Sequence, residues 1–407
     1  MLISVLCVTA FIAGLIACAP TTNTGSGAAS TASTPTPDEF GVVTADAWKD
    51  IYPDEYASYK DNEANKPGSD KHDYLELYPA LNTMYQGYGF SKGYDEAASH
   101  VFSLDSINAT PRINENSLAN CITCKSPQFT ALVNENGVGE YSKPFAETIM
   151  SINEPISCWN CHENDPETLT VGNQFFTTAL GADSAKVPEE AQVCGQCHNE
   201  YYFNPETKAT TLPYSGLAQM TPDAILSYYD ALGFSDWKYP GTDSPMIKVQ
   251  HPEFETIYGG TTQGNMASIG YSCSDCHMGT VEREDGTTYV SHKWQSPLEN
   301  KELLESTCNT CHEDLPTQVA AWQEASEKRV VSISLKIEDL AKKMTEQVAA
   351  GTLTGDKLAE LQKLHRSAQF YWDFVMVENS EGAHNPNFAN ATLDKAEALV
   401  DEALGKL

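Results

Sequence analysis

Apolar positions with helical spacing dominate the C-terminal part of the chain. Residues 317–350 contain neither glycine nor proline. One side of this stretch is apolar at every third or fourth position, through Ile333, Ile337, Leu340, Met344 and Val348. This spacing predicts one long helix, and Gly351 follows at the position of a C-terminal cap. The same pattern predicts a second helix over 356–377 and a third from Thr392.

Apolar helix sides of this kind are typical of a core or of a contact between subunits. We therefore predict that the long helix forms the surface of a homodimer. The chain before Pro316 is loop-rich, yet it contains no linker-like break. Residues 40–407 are predicted to form a single unit whose core is filled largely by cofactors.

The N-terminal pattern is different. Residues 1–17 are mostly apolar and too short for an ordinary membrane span, which predicts a signal peptide. The stretch ends Leu-Ile-Ala-Cys18, which resembles a lipobox, and Cys18 is then the acylated residue. Residues 18–39 read as a flexible tether. We expect a lipid-anchored protein on the outer face of the cytoplasmic membrane or in the periplasm.

One feature of this segment departs from an ordinary signal peptide. No Lys or Arg precedes Lys49, so a basic n-region is missing, which an upstream start codon would explain. The alternative for Cys18 is an unmodified residue of the signal peptide.

The formal net charge is −31 at pH 7. An excess of this size argues against binding to nucleic acid or electrostatic adsorption to anionic lipid. An anionic substrate would require a locally positive site.

Five C-x-x-C pairs carry the chemistry. Four continue as C-x-x-C-H, the motif that attaches haem through two thioethers and one iron ligand. They are Cys158/Cys161/His162, Cys194/Cys197/His198, Cys273/Cys276/His277 and Cys308/Cys311/His312. The first pair, Cys121/Cys124, is followed instead by Lys125. We predict five covalently bound haem c groups, with the lysine-ligated one distinct from the rest.

Zinc binding and redox disulfides are the alternatives for such pairs. Zinc would need two pairs for each site, and neither alternative explains a histidine that follows the second cysteine four times. A decayed motif is the alternative for Lys125, but both cysteines of that pair persist. Ten of the 12 cysteines belong to the motifs, and the other two are Cys7 and Cys18, so we expect none to remain for a structural disulfide.

A haem that only carries electrons usually takes a second histidine on its distal side. Outside the motifs the chain offers His72, His100, His251, His292, His365 and His384. Spacing alone does not pair them with individual haems. If no side chain lies opposite Lys125, that iron can bind a small molecule.

From residue 74 to residue 404 the chain resembles the pentahaem cytochrome c nitrite reductases, which form ammonia. The lysine-ligated first motif and the order of the five motifs agree. So do the stretch from Cys194 to Phe203, the Lys-x-Gln-His-Pro sequence from Lys248 to Pro252, and Gln369 to Asp373. The resemblance implies a mostly α-helical multihaem fold with a haem-packed core and long C-terminal helices that form a dimer.

The resemblance also implies roles for individual residues. Lys125 would be the proximal ligand of the catalytic haem, with Tyr201, His251 and Arg112 in its distal pocket. The loop after Arg112 is shorter than is usual in the family. The distal ligands would be His100 for the haem of His198, His292 for that of His162 and His384 for that of His277. His72 and His365 match no ligand and are expected at the surface.

A calcium ion is implied next to the catalytic haem. Its ligands would be the side chains of Glu200 and Gln250 and the carbonyls of Tyr201 and Lys248. These are hard oxygen donors, as calcium prefers. The alternative for Glu200 is a solvated carboxylate.

The resemblance implies six-electron reduction of nitrite to ammonium, with a membrane-anchored tetrahaem quinol dehydrogenase as electron donor. Two alternatives stay open. One is a multihaem reductase that acts mainly on hydroxylamine or sulfite, and the other is a non-enzymatic electron-transfer cytochrome, in which every haem would be six-coordinate.

The haem of His312 departs from the family pattern. Its distal histidine should lie between His251 and His277, where this chain has no histidine. Counting forward from His251 reaches Thr262, a poor ligand, whereas counting back from the next motif reaches Met266. We predict Met266 as the sixth ligand. The alternative is an apolar loop methionine beside a five-coordinate or water-ligated haem.

Overall fold

The computed structural model describes residues 34–67, 73–260 and 265–407. The predicted signal peptide, and the tether up to residue 33, lie outside the described residues. The α-helices are α1 (Ala45–Trp48), α2 (Pro53–Lys60), α3 (Tyr74–Leu77), α4 (Leu81–Met84), α5 (Ser103–Ala109), α6 (Pro127–Asn136), α7 (Phe145–Ile149), α8 (Trp159–His162), α9 (Gln174–Leu180), α10 (Glu189–Gly195), α11 (Pro222–Leu232), α12 (Glu253–Tyr258), α13 (Cys273–His277), α14 (Lys301–Ser306), α15 (Leu315–Ala349), α16 (Gly355–Met376) and α17 (Pro386–Lys406). Strands are few, so the predicted mostly α-helical fold is confirmed.

The strands form three small antiparallel hairpins. They pair β1 (Tyr202–Phe203) with β2 (Thr210–Thr211), β3 (Trp237–Lys238) with β4 (Pro245–Met246), and β5 (Thr280–Glu282) with β6 (Thr288–Val290). In the first hairpin Tyr202 faces Thr211, and in the second Trp237 faces Met246. The first hairpin includes the end of the stretch from Cys194 to Phe203, and the second ends just before the stretch from Lys248 to Pro252.

Three helices, α6, α11 and α17, begin with the same local sequence pattern. Proline in the first turn has a backbone dihedral already suited to a helix, and the residue before it offers a side-chain oxygen to a free amide. Ser126 caps α6, Thr221 caps α11 and Asn385 caps α17 in this way. The third C-terminal helix consequently begins at Pro386, six residues before the predicted Thr392.

The three long helices α15, α16 and α17 pack on one another and build most of the apolar core. The predicted apolar side of α15 is buried, with Ile337, Leu340 and Met344 fully inaccessible. The indole N–H of Trp372 donates to the Val330 carbonyl at 2.8 Å and locks α16 to α15. Gly351 adopts a φ of 70°, as a C-terminal cap requires.

Charged residues reinforce the rim of this bundle. Arg329 on α15 contacts Asp394 on α17 at 2.6 Å, and Lys336 contacts Asp401 at 2.8 Å. These pairs are largely solvent-accessible, so each contributes little by itself and the buried apolar sides carry the stability. No helix within the described ranges is long and apolar enough to cross a membrane.

The motif region, residues 121–312, consists of short helices and turns. The haem motifs lie on or next to α8, α10, α13 and two 3-10 helices, Ala119–Ile122 and Cys308–Thr310. Short elements of this kind bury little apolar surface, which agrees with a region whose core is completed by cofactors.

Leu340→Ala should lower the free energy of unfolding by about 2–5 kcal/mol, because it leaves a cavity between the three long helices. Leu232→Ala is the matched control, since that side chain on α11 is 50% exposed. It should cost less than about 0.5 kcal/mol. Chemical denaturation of the holoprotein, followed by circular dichroism, measures both. Equal losses would show that the bundle core is not where the stability resides.

Candidate haem and calcium sites

Most of the motif cysteines are arranged for cofactor attachment. All eight cysteines of the first four motifs are free thiols, and so is Cys308 of the fifth. The Cys124 thiol lies close to that of Cys197, and the Cys194 thiol close to that of Cys273, so thiols of different motifs meet in space. Such contacts between motifs are what a closely packed haem array requires.

The remaining motif cysteine is Cys311, and the other two cysteines of the chain, Cys7 and Cys18, lie outside the described residues. The expectation that no cysteine remains for a structural disulfide stays a prediction.

Histidine rings pair across gaps of one size. The centroid separations are 6.2 Å for His162 and His292, 6.1 Å for His198 and His100, and 5.9 Å for His277 and His384. Two metal–nitrogen bonds of about 2 Å plus the two ring radii amount to roughly the same distance. Each pair can thus hold one iron between its rings. The three pairs match those implied by the resemblance.

The second ring nitrogen of most ligand candidates is already occupied. The Nδ1 atoms lie 2.8 Å from the Thr168 carbonyl for His162, 2.9 Å from the Gln295 carbonyl for His277, 3.0 Å from the Val290 carbonyl for His292, 3.0 Å from Gln318 Oε1 for His312 and 2.5 Å from Glu378 Oε1 for His384. Contacts of this kind fix the tautomer and leave Nε2 free for a metal. The residues present fit haem.

His198 has two neighbouring histidines. Its ring lies 6.1 Å from His100 and 6.2 Å from His251. The Nδ1 atoms of His100 and His251 are both buried without a hydrogen-bond partner in the described chain. Ring distance therefore does not separate the two, and the resemblance assigns His100 as the ligand.

Sequence reasoning missed the partner of His198. Glu253 Oε2 lies 3.7 Å from its Nδ1. Burial favours the neutral form of Glu253, but the nearby charge of His198 outweighs it and lowers the pKa of Glu253 to about 2. The signal was available, because Glu253 directly follows the His251-Pro252 stretch.

The expected distal pocket is assembled around Arg112. Its Nη1 donates to the Gly93 carbonyl at 2.9 Å, and its guanidinium lies 4.3 Å from the centroid of Phe90. Burial lowers the pKa of Arg112, while the nearby hydroxyl of Tyr201 acts in the opposite sense. Burial also lowers the pKa of His251 to about 4, with Lys125 among the charges that act on it. The structure thus brings Lys125, Arg112, Tyr201 and His251 into one region.

The expected calcium ligands also converge. Glu200 is fully buried; its Oε1 accepts from the Tyr229 hydroxyl at 2.8 Å and its Oε2 from the Gln250 amide at 2.6 Å. The Gln250 side chain donates to the Lys248 carbonyl at 3.0 Å. Burial raises the pKa of Glu200 well above its usual range.

A divalent cation would stabilise the charged form of Glu200, so these residues fit calcium. Within the described ranges no three His, Cys, Asp or Glu side chains cluster in a metal-binding arrangement. The expected calcium set contains one carboxylate and otherwise amide and backbone oxygens, which is compatible with this finding.

Two other expectations meet different outcomes. His365 is fully buried, with its ring 5.3 Å from that of Tyr239, so the expectation of a surface residue was wrong. It lies on the inner side of α16, where the apolar pattern continues on both sides of it. His72 lies outside the described residues.

The surroundings of His312 agree with the sequence pattern. In the described ranges no histidine ring pairs with His312. Met266 begins the 3-10 helix Met266–Ile269 and is 38% exposed, and the Tyr271 amide donates to its carbonyl at 3.2 Å. Met266 as a ligand stays a prediction.

The chain is similar to known multihaem proteins. A family model described as cytochrome c552 matches residues 44–407. The cytochrome c nitrite reductase subunit NrfA of Nitratidesulfovibrio vulgaris is 32% identical over 413 residues, covering 88% of this chain and 77% of that protein. Cytochrome c-552 of Aliarcobacter butzleri is 32% identical over 394 residues, covering 88% and 75%.

A solved structure agrees with these relatives. The catalytic subunit of cytochrome c nitrite reductase from Desulfovibrio desulfuricans superposes with a TM-score of 0.79 at 27% identity. The match covers 90% of this chain and 86% of that one. That protein is described as having two calcium sites.

His100→Ala and His251→Ala should separate the two neighbours of His198. If His100 is the ligand, its loss converts one low-spin haem to high spin, whereas loss of His251 leaves the number of low-spin haems unchanged. Electron paramagnetic resonance of the oxidised holoprotein counts both species. The reverse result would assign His251 to the haem of His198 and remove it from the pocket of Lys125.

Proposed function

This chain belongs to the cytochrome c552 family, and we propose that it is a cytochrome c nitrite reductase that reduces nitrite to ammonium with six electrons. One observation carries the proposal. Three of the four histidine motifs have a second histidine ring at metal-bridging distance, whereas Lys125 is close enough to His251, and Tyr201 to Arg112, for electrostatic interaction. That environment suits a small anion.

When bound, the five haems would supply the electrons and the lysine-ligated iron would bind the nitrogen of nitrite. The protein's own groups handle the oxygens and protons. Arg112 keeps its charge when buried and offers fixed donors to a nitrite oxygen. It is held in place by the Gly93 carbonyl and the Phe90 ring. His251 can deliver protons as the N–O bonds break.

Calcium supports the same pocket. Glu200 is followed by Tyr201, and Gln250 by His251, so one ion held by Glu200 and Gln250 orients two pocket residues together. Its charge also adds positive potential at a site inside a protein with a net charge of −31. This resolves the conflict between an acidic protein and an anionic substrate.

Hydroxylamine and sulfite are the competing substrates, since the same pocket can hold other small oxygen-containing molecules. The family relationship favours nitrite. A purely electron-transferring cytochrome is disfavoured by the similarity to the catalytic subunits of nitrite reductases.

We propose a homodimer formed through α15. Its inner side is buried, yet Val331 and Leu335 on its outer side are 38% and 54% exposed. Apolar residues on an outer helix face suit a partner helix. We further propose a membrane-anchored tetrahaem quinol dehydrogenase as the electron donor, on the family resemblance alone.

The cellular location is also a proposal. Covalent attachment of haem c and the apolar residues 1–17 support export behind a signal peptide, with acylation at Cys18 as the anchor. The protein would then lie on the outer face of the cytoplasmic membrane or in the periplasm, with residues 18–39 as the tether and 40–407 as the catalytic unit.

Arg112→Ala and His251→Ala should each lower kcat for nitrite by about 10²–10³-fold while all five haems stay attached, because each removes a charge or proton donor needed as the N–O bonds break. Anaerobic turnover with reduced viologen, with ammonium quantified, measures this. Six electrons consumed for each ammonium formed are expected of the wild type. Near-normal kcat in both variants would mean that the pocket lies elsewhere.

Met266→Ala should abolish a near-infrared charge-transfer band characteristic of histidine–methionine haem, measured by magnetic circular dichroism. Thioether ligation favours ferrous iron, so the same haem should have a higher reduction potential in the wild type than in the variant. Met150→Ala is the control, since that side chain is 87% exposed. Absence of the band from the wild type would refute Met266 ligation.

A further inference from the structure

Three consecutive backbone amides directly before His251 are each bound by a different carboxylate. The pairs are Lys248 N–H with Asp236 Oδ2 at 2.8 Å, Val249 N–H with Asp373 Oδ2 at 2.9 Å, and Gln250 N–H with Glu200 Oε2 at 2.6 Å. The three acids come from separate parts of the chain. They fix the backbone of residues 248–250 from three directions, and with it the start of the His251 peptide.

Asp373 is a fully buried member of this arrangement. It lies on α16, and its side chain has no accessible surface. Besides the Val249 amide it accepts a 2.5 Å hydrogen bond from the Tyr85 hydroxyl. A carboxylate buried this deeply is stable only with several partners, and each of these partners also gains a fixed position.

The third partner of Asp373 is the ammonium group of Lys248. The Nζ atom lies 3.4 Å from Asp373 Oδ1 and donates to the Val249 carbonyl at 2.5 Å. The side chain is 1% exposed. Three aromatic rings surround the charge, with centroids at 5.5 Å for Tyr85, 5.1 Å for Phe90 and 5.3 Å for Tyr94.

One of the aromatic rings around the Lys248 ammonium also contacts Arg112 of the expected distal pocket. Phe90 contacts the Lys248 ammonium and also the Arg112 guanidinium, whose Cζ lies 4.3 Å from the ring centroid. Loss of the negative charge of Asp373 would leave the Lys248 ammonium buried without its counter-ion, which is strongly unfavourable. The ammonium group would have to move, and the Lys248 carbonyl and the Phe90 ring would move with it.

We infer that Asp373 is a positioning residue for this site, holding His251 and the calcium-binding carbonyl of Lys248 in place through the Val249 amide and the Lys248 ammonium. Asp373 itself touches neither substrate nor cofactor. The part that concerns His251 rests on the proposed nitrite reduction. Misplacing a proton donor or a ligand carbonyl by a fraction of an ångström is sufficient to slow the reaction and weaken the ion.

Asp373→Asn in the full-length holoprotein tests the inference, because it keeps the shape and removes the charge. We expect kcat for nitrite to fall about 10–100-fold with a smaller change in KM, and calcium to be lost to a chelator at about tenfold lower chelator concentration. Adding Lys248→Met removes the unpaired cation. The double variant should recover part of the loss of Asp373→Asn, which a non-specific packing defect would not do.

Asp230→Asn is the matched control. Asp230 forms another ion pair of α16, at 2.9 Å from Arg366, and its side chain is 39% exposed. It should leave kcat and calcium retention unchanged. If Asp373→Asn behaves like this control, or if Lys248→Met adds to its loss instead of relieving it, the inference is overturned.

Tyr85→Phe covers the case in which Asp373→Asn does not accumulate. It removes one hydroxyl bonded to Asp373 and should lower kcat and calcium retention a few-fold; wild-type values would overturn the inference. Failure of the proposed function has a different signature. The wild type would then form no ammonium, and chelator-induced calcium loss would still decide whether Asp373 positions Lys248.

Discussion

A buried charge is stable only when an opposite charge or several polar donors accompany it, and much of the arrangement near Lys125 follows from this requirement. The chain carries 56 acidic against 25 basic side chains, yet Lys248 is buried and Arg112 is half-buried in one region. The nearby carboxylates of Glu200, Asp236 and Asp373 accept hydrogen bonds from backbone amides and tyrosine hydroxyls. Their charge is therefore spread over the peptide backbone and does not cancel that of Arg112.

The motif histidines are also held in place by polar partners. Four of the five motifs end in histidine, and most of these rings are fixed through Nδ1 by a carbonyl or a side-chain oxygen. A fixed tautomer leaves one nitrogen for iron and sets the plane of the ring. His198 is held instead by the charged Glu253, which also lies two residues after His251. The electron-carrying and catalytic parts of the molecule are thus adjacent in one short segment.

Much of this was accessible from the sequence. The attachment motifs are local patterns, and the apolar side of α15 is a property of the sequence period, so both were predicted. The start of α17 was missed because a cap at Asn385 and a proline at Pro386 extend the helix beyond its apolar pattern.

The contacts of Asp373 and Asp236 were beyond the same reasoning. Neither acid was assigned a role. The Val249 amide lies 124 residues from Asp373 in the chain, and the Lys248 amide meets Asp236 only because the hairpin of β3 and β4 folds between them. The available signal for Asp373 was an acidic residue within an otherwise aromatic and apolar run, from Phe370 to Val375.

The histidine pairs have a further consequence, for how the protein matures. His292 and His384 follow the motifs of His162 and His277 by more than two helices, whereas His100 precedes the motif of His198. A chain that emerges from its N-terminus completes local contacts first. With the distal ligands proposed, the haem of His198 would gain both axial ligands early, while the other two would wait for segments synthesised later. Truncation before His384 would leave the haem of His277 attached but without its proposed second axial ligand.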